Sequence, residues 1–220
     1  MTKKYVRVPE LMLGFDTETT GLDVTKERAI AYGFCVYRFG QLTSTEQFFV
    51  VPDRPITAGA RRVHGLSVED IEAKRSSCAV LTVEAGLIRA IQILRDYQRL
   101  GAYVVGANIV RFDLEMLRRS ARSVLGNSLQ GPDFDISLLR IIDVIEHDLA
   151  IEPRNAFRPS RSLTQLCGFY GVTPGGHDAL ADSIAAVHVY LEQVVRNNAG
   201  QMPLDLVAPL DEFDEAVGQP

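Results

Sequence analysis

Three features of the sequence predict an α/β fold, a mixed sheet with helices packed on it. Strand-like runs come first and in succession, helical and strand-like segments alternate after them, and apolar residues make up 46% of the 220, against 23% charged, enough for a real core. LMLGFDTET is apolar with β-branched content and reads as a buried strand. RAIAYGFCVYRFG and STEQFFVVP follow as two more, separated by turn residues, and together the three predict an antiparallel meander. In AVLTVEAGLIRAIQILRDYQRL the apolar period changes to that of a helix, with Leu87, Ile91 and Leu94 on one side. AYVVGAN is then a short strand and RFDLEMLRRSARSVLG a helix. FDISLLRIIDVIEHDL begins as a strand and ends as a helix, and SLTQLCGFYGV is a short helix closed near a glycine. From Asp178 to about Asn197 the chain has the pattern of a strong amphipathic helix. These runs amount to a mixed five-stranded sheet flanked by helices.

After Asn198 the periodicity stops and Gly, Pro and acids take over. The expected organisation is an N-terminal extension over 1–9, one domain over 10–197 and a flexible acidic tail over 198–220. Charges break the apolar stretches well short of the roughly 20 residues a bilayer span needs. MTKKYVRVPE has no apolar segment of the kind a secretory signal carries, so a cytoplasmic protein with no membrane partner is expected. Cys35, Cys78 and Cys167 are odd in number and far apart, which predicts neither a disulfide framework nor a zinc knuckle. A net charge of −5 argues against a protein that coats duplex nucleic acid through a broad basic surface, and leaves room for local basic patches.

Against that background GFDTETTG, Gly14 to Gly21, is anomalous. It seats Asp16 and Glu18 one residue apart at the end of an apolar run. Asp113 stands just after the strand AYVVGAN, at a helix start, where the macrodipole alone would favour an acid. Asp182 lies in HDALAD, five residues after His177, which follows Gly175 and Gly176. Five helical residues amount to about 500° of rotation, so His177 cannot stack over Asp182 and must hang from the loop or first turn. Gathering such carboxylates would be prohibitive without cations. Magnesium suits the donors, because it prefers oxygen ligands and keeps positions open for water and phosphate; the residue types disfavour zinc or copper.

FDTETTG, then N-x-x-x-F-D from Asn108 to Asp113, then H-x-A-x-x-D from His177 to Asp182, resemble the three exonuclease motifs of the DnaQ-like 3′-to-5′ exonucleases with a histidine in the last motif, the DEDDh group. The resemblance extends through PITAGARRVHGLSVED and covers roughly residues 10 to 195. It implies an RNase H-like sheet and two-metal hydrolysis of the terminal phosphodiester, with two magnesium ions that manganese can replace. By carry-over Asp16 bridges both ions, Glu18 and Asp182 hold the one that carries the attacking water, and Asp113 helps hold the one near the leaving oxygen. Ions about 3.5 to 4 Å apart stabilise both oxygens together. His177 takes the proton, a task suited to a side chain whose ordinary pKa is near neutrality. Asp16 and Glu18, two apart on a strand, face one cluster, while Thr17 points the other way, into packing. The family pattern places Thr17, Thr19, Thr20, Gly21, His64, Asn108 and Phe112 around the terminal nucleotide.

Plainer readings stand beside these. Asp178 is expected to be an N-cap, Glu69 and Glu115 are solvated or first-turn acids, and His147 and His188 are packed or surface histidines. Phe112 reads as core before stacking platform. Arg61, Arg62, Arg111 and the cluster from Arg154 to Arg161 can each be solvated or pair with phosphates. In the tail, QMPLDL resembles the Gln-x-x-Leu-x-Leu peptide by which bacterial replication proteins bind the sliding clamp, with Leu204 and Leu206 as pocket anchors and Gln201 as polar contact. The function expected is release of nucleoside 5′-monophosphates from single-stranded or frayed DNA 3′ ends in proofreading or repair, with a DNA polymerase and a sliding clamp as partners. An exoribonuclease trimming RNA 3′ ends is the alternative within the family. A non-catalytic binding module on the same fold is the alternative outside enzymes.

Overall fold

A computed structural model of the chain describes residues 5–151 and 161–199. The meander forms as predicted: β1 (Leu11–Thr19), β2 (Ala29–Arg38) and β3 (Gln41–Val50) pair antiparallel in succession. Strand β4 (Ala79–Leu81) runs parallel to the end of β3. On the other side β5 (Tyr103–Gly106) runs parallel to β1 and β6 (Arg140–Asp143) parallel to β5. The sheet therefore has six strands, not five, in the order β4-β3-β2-β1-β5-β6. The additional strand is β4, three residues that are too few to show alternation and that merge in the sequence with the following helix.

That helix, α3 (Val83–Arg99), starts where the Thr82 hydroxyl accepts the Ala85 N–H. Helix α4 (Asp113–Leu125) follows β5, and α5 (Val144–Ile151) follows β6. The strand expected in FDISLLR begins only at Arg140, because Ile136–Leu138 is a 3-10 turn capped by Asp135. Helices α6 (Leu163–Tyr170) and α7 (Ala179–Asn198) are the last elements among the described residues. PITAGARRVHGLSVED folds as two short helices, α1 (Ala58–His64) and α2 (Val68–Ala73). Periodicity shows neither, since two turns carry too few residues to define a face. The capping box of Ser67 and Asp70 was the local signal.

Strand β1 lies in the middle of the sheet and is buried on both faces. Leu13 and Phe15 pack with Leu87 and Leu94 of α3 and Leu114 and Leu117 of α4. Met12 belongs to the opposite cluster, with Val187 and Tyr190 of α7. Each such side chain contributes about 1.5–3 kcal/mol by leaving water. Phe15 stacks on Phe34 at 4.8 Å between ring centroids, extending the first layer across β2. Among the described residues no helix is long and apolar enough to cross a membrane.

On the second face the distance of α7 from the sheet is set by glycine. A methyl group at Gly33 would overlap the backbone of Ala179, and one at Gly14 would overlap Cys35 Sγ and crowd the Ser183 carbonyl. Gly33 is also the register partner of Asp16. The first turn of α7 can therefore lie directly on β2 beside the acids, and the next turn on β1 itself. A side chain at position 33 must push the helix outward, at about 1–3 kcal/mol for overpacking. Thermal denaturation is expected to show Gly33→Ala melting about 2–10 °C below the parent. Gly168→Ala, inside α6 with open space around it, is expected to melt slightly above it.

Candidate active site

The extended backbone of β1 turns Asp16 and Glu18 to one side and Thr17 to the other. Thr17 does more than pack: its Oγ1 donates to Asp113 Oδ1 at 2.6 Å, with both residues buried. Asp113 is the first residue of α4, after a loop in which Asn108 adopts a left-handed φ of 56°. Asn108 donates its N–H to Asp143 Oδ1 at 3.0 Å, and the same oxygen accepts the Ile145 N–H at 3.0 Å. Asp143 thus ties the β5–α4 loop to the start of α5, a role the sequence reading missed. Its signal was an acid following the apolar pair Ile141–Ile142 just before a helix, the pattern noticed at Asp113.

His177 hangs from the loop before α7, as helical geometry requires, with φ 63°. Its N–H donates to Asp182 Oδ2 at 3.1 Å. Gly175 lies so close to Asp182 that any side chain there would overlap the helix backbone, and the loop therefore wraps the carboxylate. Asp178 caps α7, accepting the Ala181 N–H at 3.0 Å. Glu18, His177 and Asp182 each offer a ligand atom within 4.8 Å of the other two.

These groups line one cleft of about 840 Å³ together with Thr19, His64, Asn108 and Phe112. Phe112 is half-buried and faces this cleft, not the core clusters. His64 Nδ1 accepts the Leu66 N–H at 3.0 Å, so Nε2 carries the proton and donates to the Thr19 carbonyl at 3.2 Å. Thr20 and Gly21 do not line the cleft. Thr20 is fully buried; its hydroxyl donates to Glu27 and accepts the Arg28 N–H, which braces the β1–β2 loop from behind. Aliphatic walls absent from the motif-based set complete the cleft, notably Leu22, Val63, Ile145 and Leu163.

Arg61 and Arg62 are exposed on α1, Arg111 faces Glu146 at 3.5 Å, and Arg161 donates to Asp148 at 2.6 Å. Arg154 and Arg158 lie outside the described residues, as do Gln201, Leu204 and Leu206. His147 meets Gln193 at 2.9 Å and His188 meets the Tyr37 hydroxyl at 2.7 Å, both away from the cleft.

Residues 13–190, which span all five candidate catalytic side chains, match the sequence pattern of the RNase_T family, described as exonuclease. The chain belongs to this exonuclease family. It is 27% identical over 157 residues to the PolC-type DNA polymerase III of Thermotoga maritima, an alignment covering 67% of this chain and 10% of that polymerase. Escherichia coli exonuclease I, in a zinc-bound complex with single-stranded DNA, shares the fold with a TM-score of 0.67 at 20% identity, over 88% of this chain and 41% of that one. A product-bound exonuclease I gives 0.65 at 19% identity, over 84% and 43%. The chain thus spans a small part of the polymerase and less than half of exonuclease I.

The electrostatics of this cleft follow first from burial and then from neighbouring charges. Burial, and then the charges of Asp182, Asp113 and Asp178, push the Glu18 carboxyl up to about 8. Burial pushes Asp113 up to about 7 despite the opposing bond from Thr17. Asp16 is raised well above the usual carboxylate range by burial and then by Asp113, Asp182 and Glu18. Asp182 is raised by burial, with the His177 side chain and backbone pulling the other way. Carboxylates held against such a gradient fit a hard divalent cation. Asp16, Glu18, Asp113 and Asp182 would supply its oxygen donors, with the His177 imidazole beside them.

A carboxyl whose folded pKa is raised stabilises the fold below its ordinary pKa, and that stability is lost as pH rises through the folded value. For Glu18 the window runs from 4.5 to about 8 and for Asp113 from 3.8 to about 7. One pKa unit is worth about 1.4 kcal/mol. The chelator-treated protein is therefore expected to melt more than about 5 °C lower at pH 8 than at pH 5. Millimolar magnesium or manganese should remove most of that fall, and Glu18→Gln should reduce it by Glu18's share, leaving the part due to Asp113.

Proposed function

We propose that this exonuclease works from the 3′ end, releasing nucleoside 5′-monophosphates from single-stranded or frayed DNA in replication proofreading or repair. The observation that carries the reading is the meeting of Asp16, Glu18, Asp113 and Asp182 with His177 in one cleft. Two divalent ions, magnesium with manganese as substitute, would be held by the four carboxylates and supply charge stabilisation for both the attacking and the departing oxygen. His177 accepts the proton of the attacking water: it is exposed at the cleft, and a ring nitrogen lies within 4.8 Å of ligand atoms of Glu18 and Asp182. Water oxygen bonds to the terminal phosphorus as the bond to the preceding 3′ oxygen breaks, leaving a monophosphate and a strand shortened by one nucleotide.

The rest of the cleft suits a chain end. Its volume of about 840 Å³ lies in the range of small-ligand sites, ~300–1,000 Å³, and not that of a duplex track. Phe112, Leu22, Val63 and Leu163 offer apolar surface to bases, while Thr19, His64 and Asn108 offer polar contacts to sugar or phosphate. A chain with net charge −5 grips through ions and a few terminal nucleotides. The polymerase alignment and the single-stranded DNA in the exonuclease I complex favour DNA and a cytoplasmic replication setting.

The test is release of mononucleotides from matched 3′-labelled DNA and RNA strands with magnesium. DNA cleavage is expected to disappear with chelator and in Asp16→Ala, and to fall about 10²–10⁴-fold in His177→Ala. Full activity in Asp16→Ala would overturn the mechanism, and faster cleavage of RNA would reassign the substrate. For the clamp motif, replacing Gln201, Leu204 and Leu206 together by alanine should abolish pull-down of a bacterial sliding clamp while leaving strand cleavage intact. Undiminished clamp capture would reduce QMPLDL to a linker.

A further inference from the structure

We propose that Thr17 is a positioning residue for metal binding: its hydroxyl locks the Asp113 carboxylate in the orientation that presents the free oxygen to the cleft. This assignment rests on the metal-dependent reading of the site. Thr17 stands between two candidate ligands on β1, and its side chain leaves by the opposite face of the strand. That face is the one on which α4 packs, with Leu13 and Phe15 against Leu114 and Leu117. The hydroxyl reaches across 96 positions of sequence to Asp113 Oδ1 at 2.6 Å, a short bond of the charge-assisted kind.

The geometry does more than satisfy a buried hydroxyl. The last torsion of an aspartate side chain is broad and roughly two-fold, so an unrestrained carboxylate at the head of α4 would sample many orientations. Thr17 restrains it from a stiff support. Threonine is β-branched and limited at χ1, and this one is fixed within the pleat of a central strand and only 7% exposed. Asp113 is 3% exposed, and backbone N–H groups of Thr17 and of Asp113 itself also bond to its carboxylate, so the hydroxyl completes a set of donors fixed to β1 and the head of α4. One short segment thus contributes at both ends of the site: Asp16 and Glu18 directly, and the orientation of Asp113 through Thr17.

A purely structural threonine would contribute to folding and leave ion affinity alone. Removing a partner that orients a metal ligand typically weakens binding 10–100-fold. The experiment uses the full chain and titrates manganese calorimetrically in the absence of nucleic acid, alongside kcat and KM for a 3′-labelled DNA strand. Thr17→Val, which replaces the hydroxyl by a methyl of similar shape, is expected to weaken manganese binding about tenfold and to lower kcat at limiting metal with KM for the strand unchanged. Excess metal should restore most of kcat. Thr17→Ser keeps the donor and is expected to recover the parental affinity.

Parental manganese affinity in Thr17→Val would overturn the proposal. So would loss of fold in both Thr17→Val and Thr17→Ala beside an intact Thr17→Ser, since the hydroxyl would then serve the fold. An Asp16→Ala control separates the two levels. If Asp16→Ala is inactive while Thr17→Val binds metal normally, only the Thr17 assignment fails; if Asp16→Ala keeps full activity, the nuclease mechanism itself fails.

Discussion

The mutual repulsion of Asp16, Glu18, Asp113 and Asp182, in a cleft that strips them of water, is the constraint on which the arrangement of the molecule depends. Burial raises the pKa of all four, and their own charges raise Asp16 and Glu18 further. A chain left to minimise its own free energy would spread these acids over its surface. They stay together because each is attached to an element whose position is decided elsewhere: β1 by two apolar layers, α4 by the layer under it, and α7 by its contact with the other face. The hydrophobic core supplies the force that holds like charges at close range, and a divalent cation would remove the reason for them to part.

That division of labour explains the small features around the cleft. Gly33 opposite Asp16 and Gly14 beside Ser183 let α7 descend onto the sheet, and Asp182 comes with it. Gly175 lets the preceding loop fold over Asp182, and the left-handed backbone at His177 completes the wrap. On the other side Asp143 secures the loop that ends at Asp113. None of these residues brings large binding energy. Each removes a degree of freedom from a candidate ligand or base, and orientation of that kind is where active sites gain most.

The parts legible in the sequence were those whose physics is local and periodic. Two acids two apart in an apolar strand must share a face, so Asp16 and Glu18 could be paired without coordinates. Rotation along α7 forbade stacking of His177 on Asp182, and the loop position followed. The parts that were missed depend on distant contacts or on lengths too short for a period. Strand β4 exists because β3 offers it a parallel edge, and α1 and α2 are too short to show a face. Thr20 and Gly21 belong to the motif by adjacency, yet the loop turns Thr20 inward to Glu27 and Arg28. Leu22 stays at the cleft, although nothing in its sequence neighbours distinguishes it from a surface leucine. The bond from Thr17 to Asp113 spans 96 positions and has no local signature at all.

The same burial that suits the cleft to cations would make the fold depend on them. With the cation absent, neutral pH leaves the cleft with carboxyls that are ionised against their surroundings, or protonated and then unable to serve as ligands. Both alternatives destabilise the functional state, and both are relieved when positive charge enters. Ion binding and correct packing of α7 and α4 against β1 would therefore be linked equilibria: a residue that loosens either helix would weaken the grip on the ion, and loss of the ion would loosen the helices. Gly33, Thr17 and Asp143 lie along that linkage without being candidate ligands. Their influence on catalysis should appear first in how much divalent ion the protein requires.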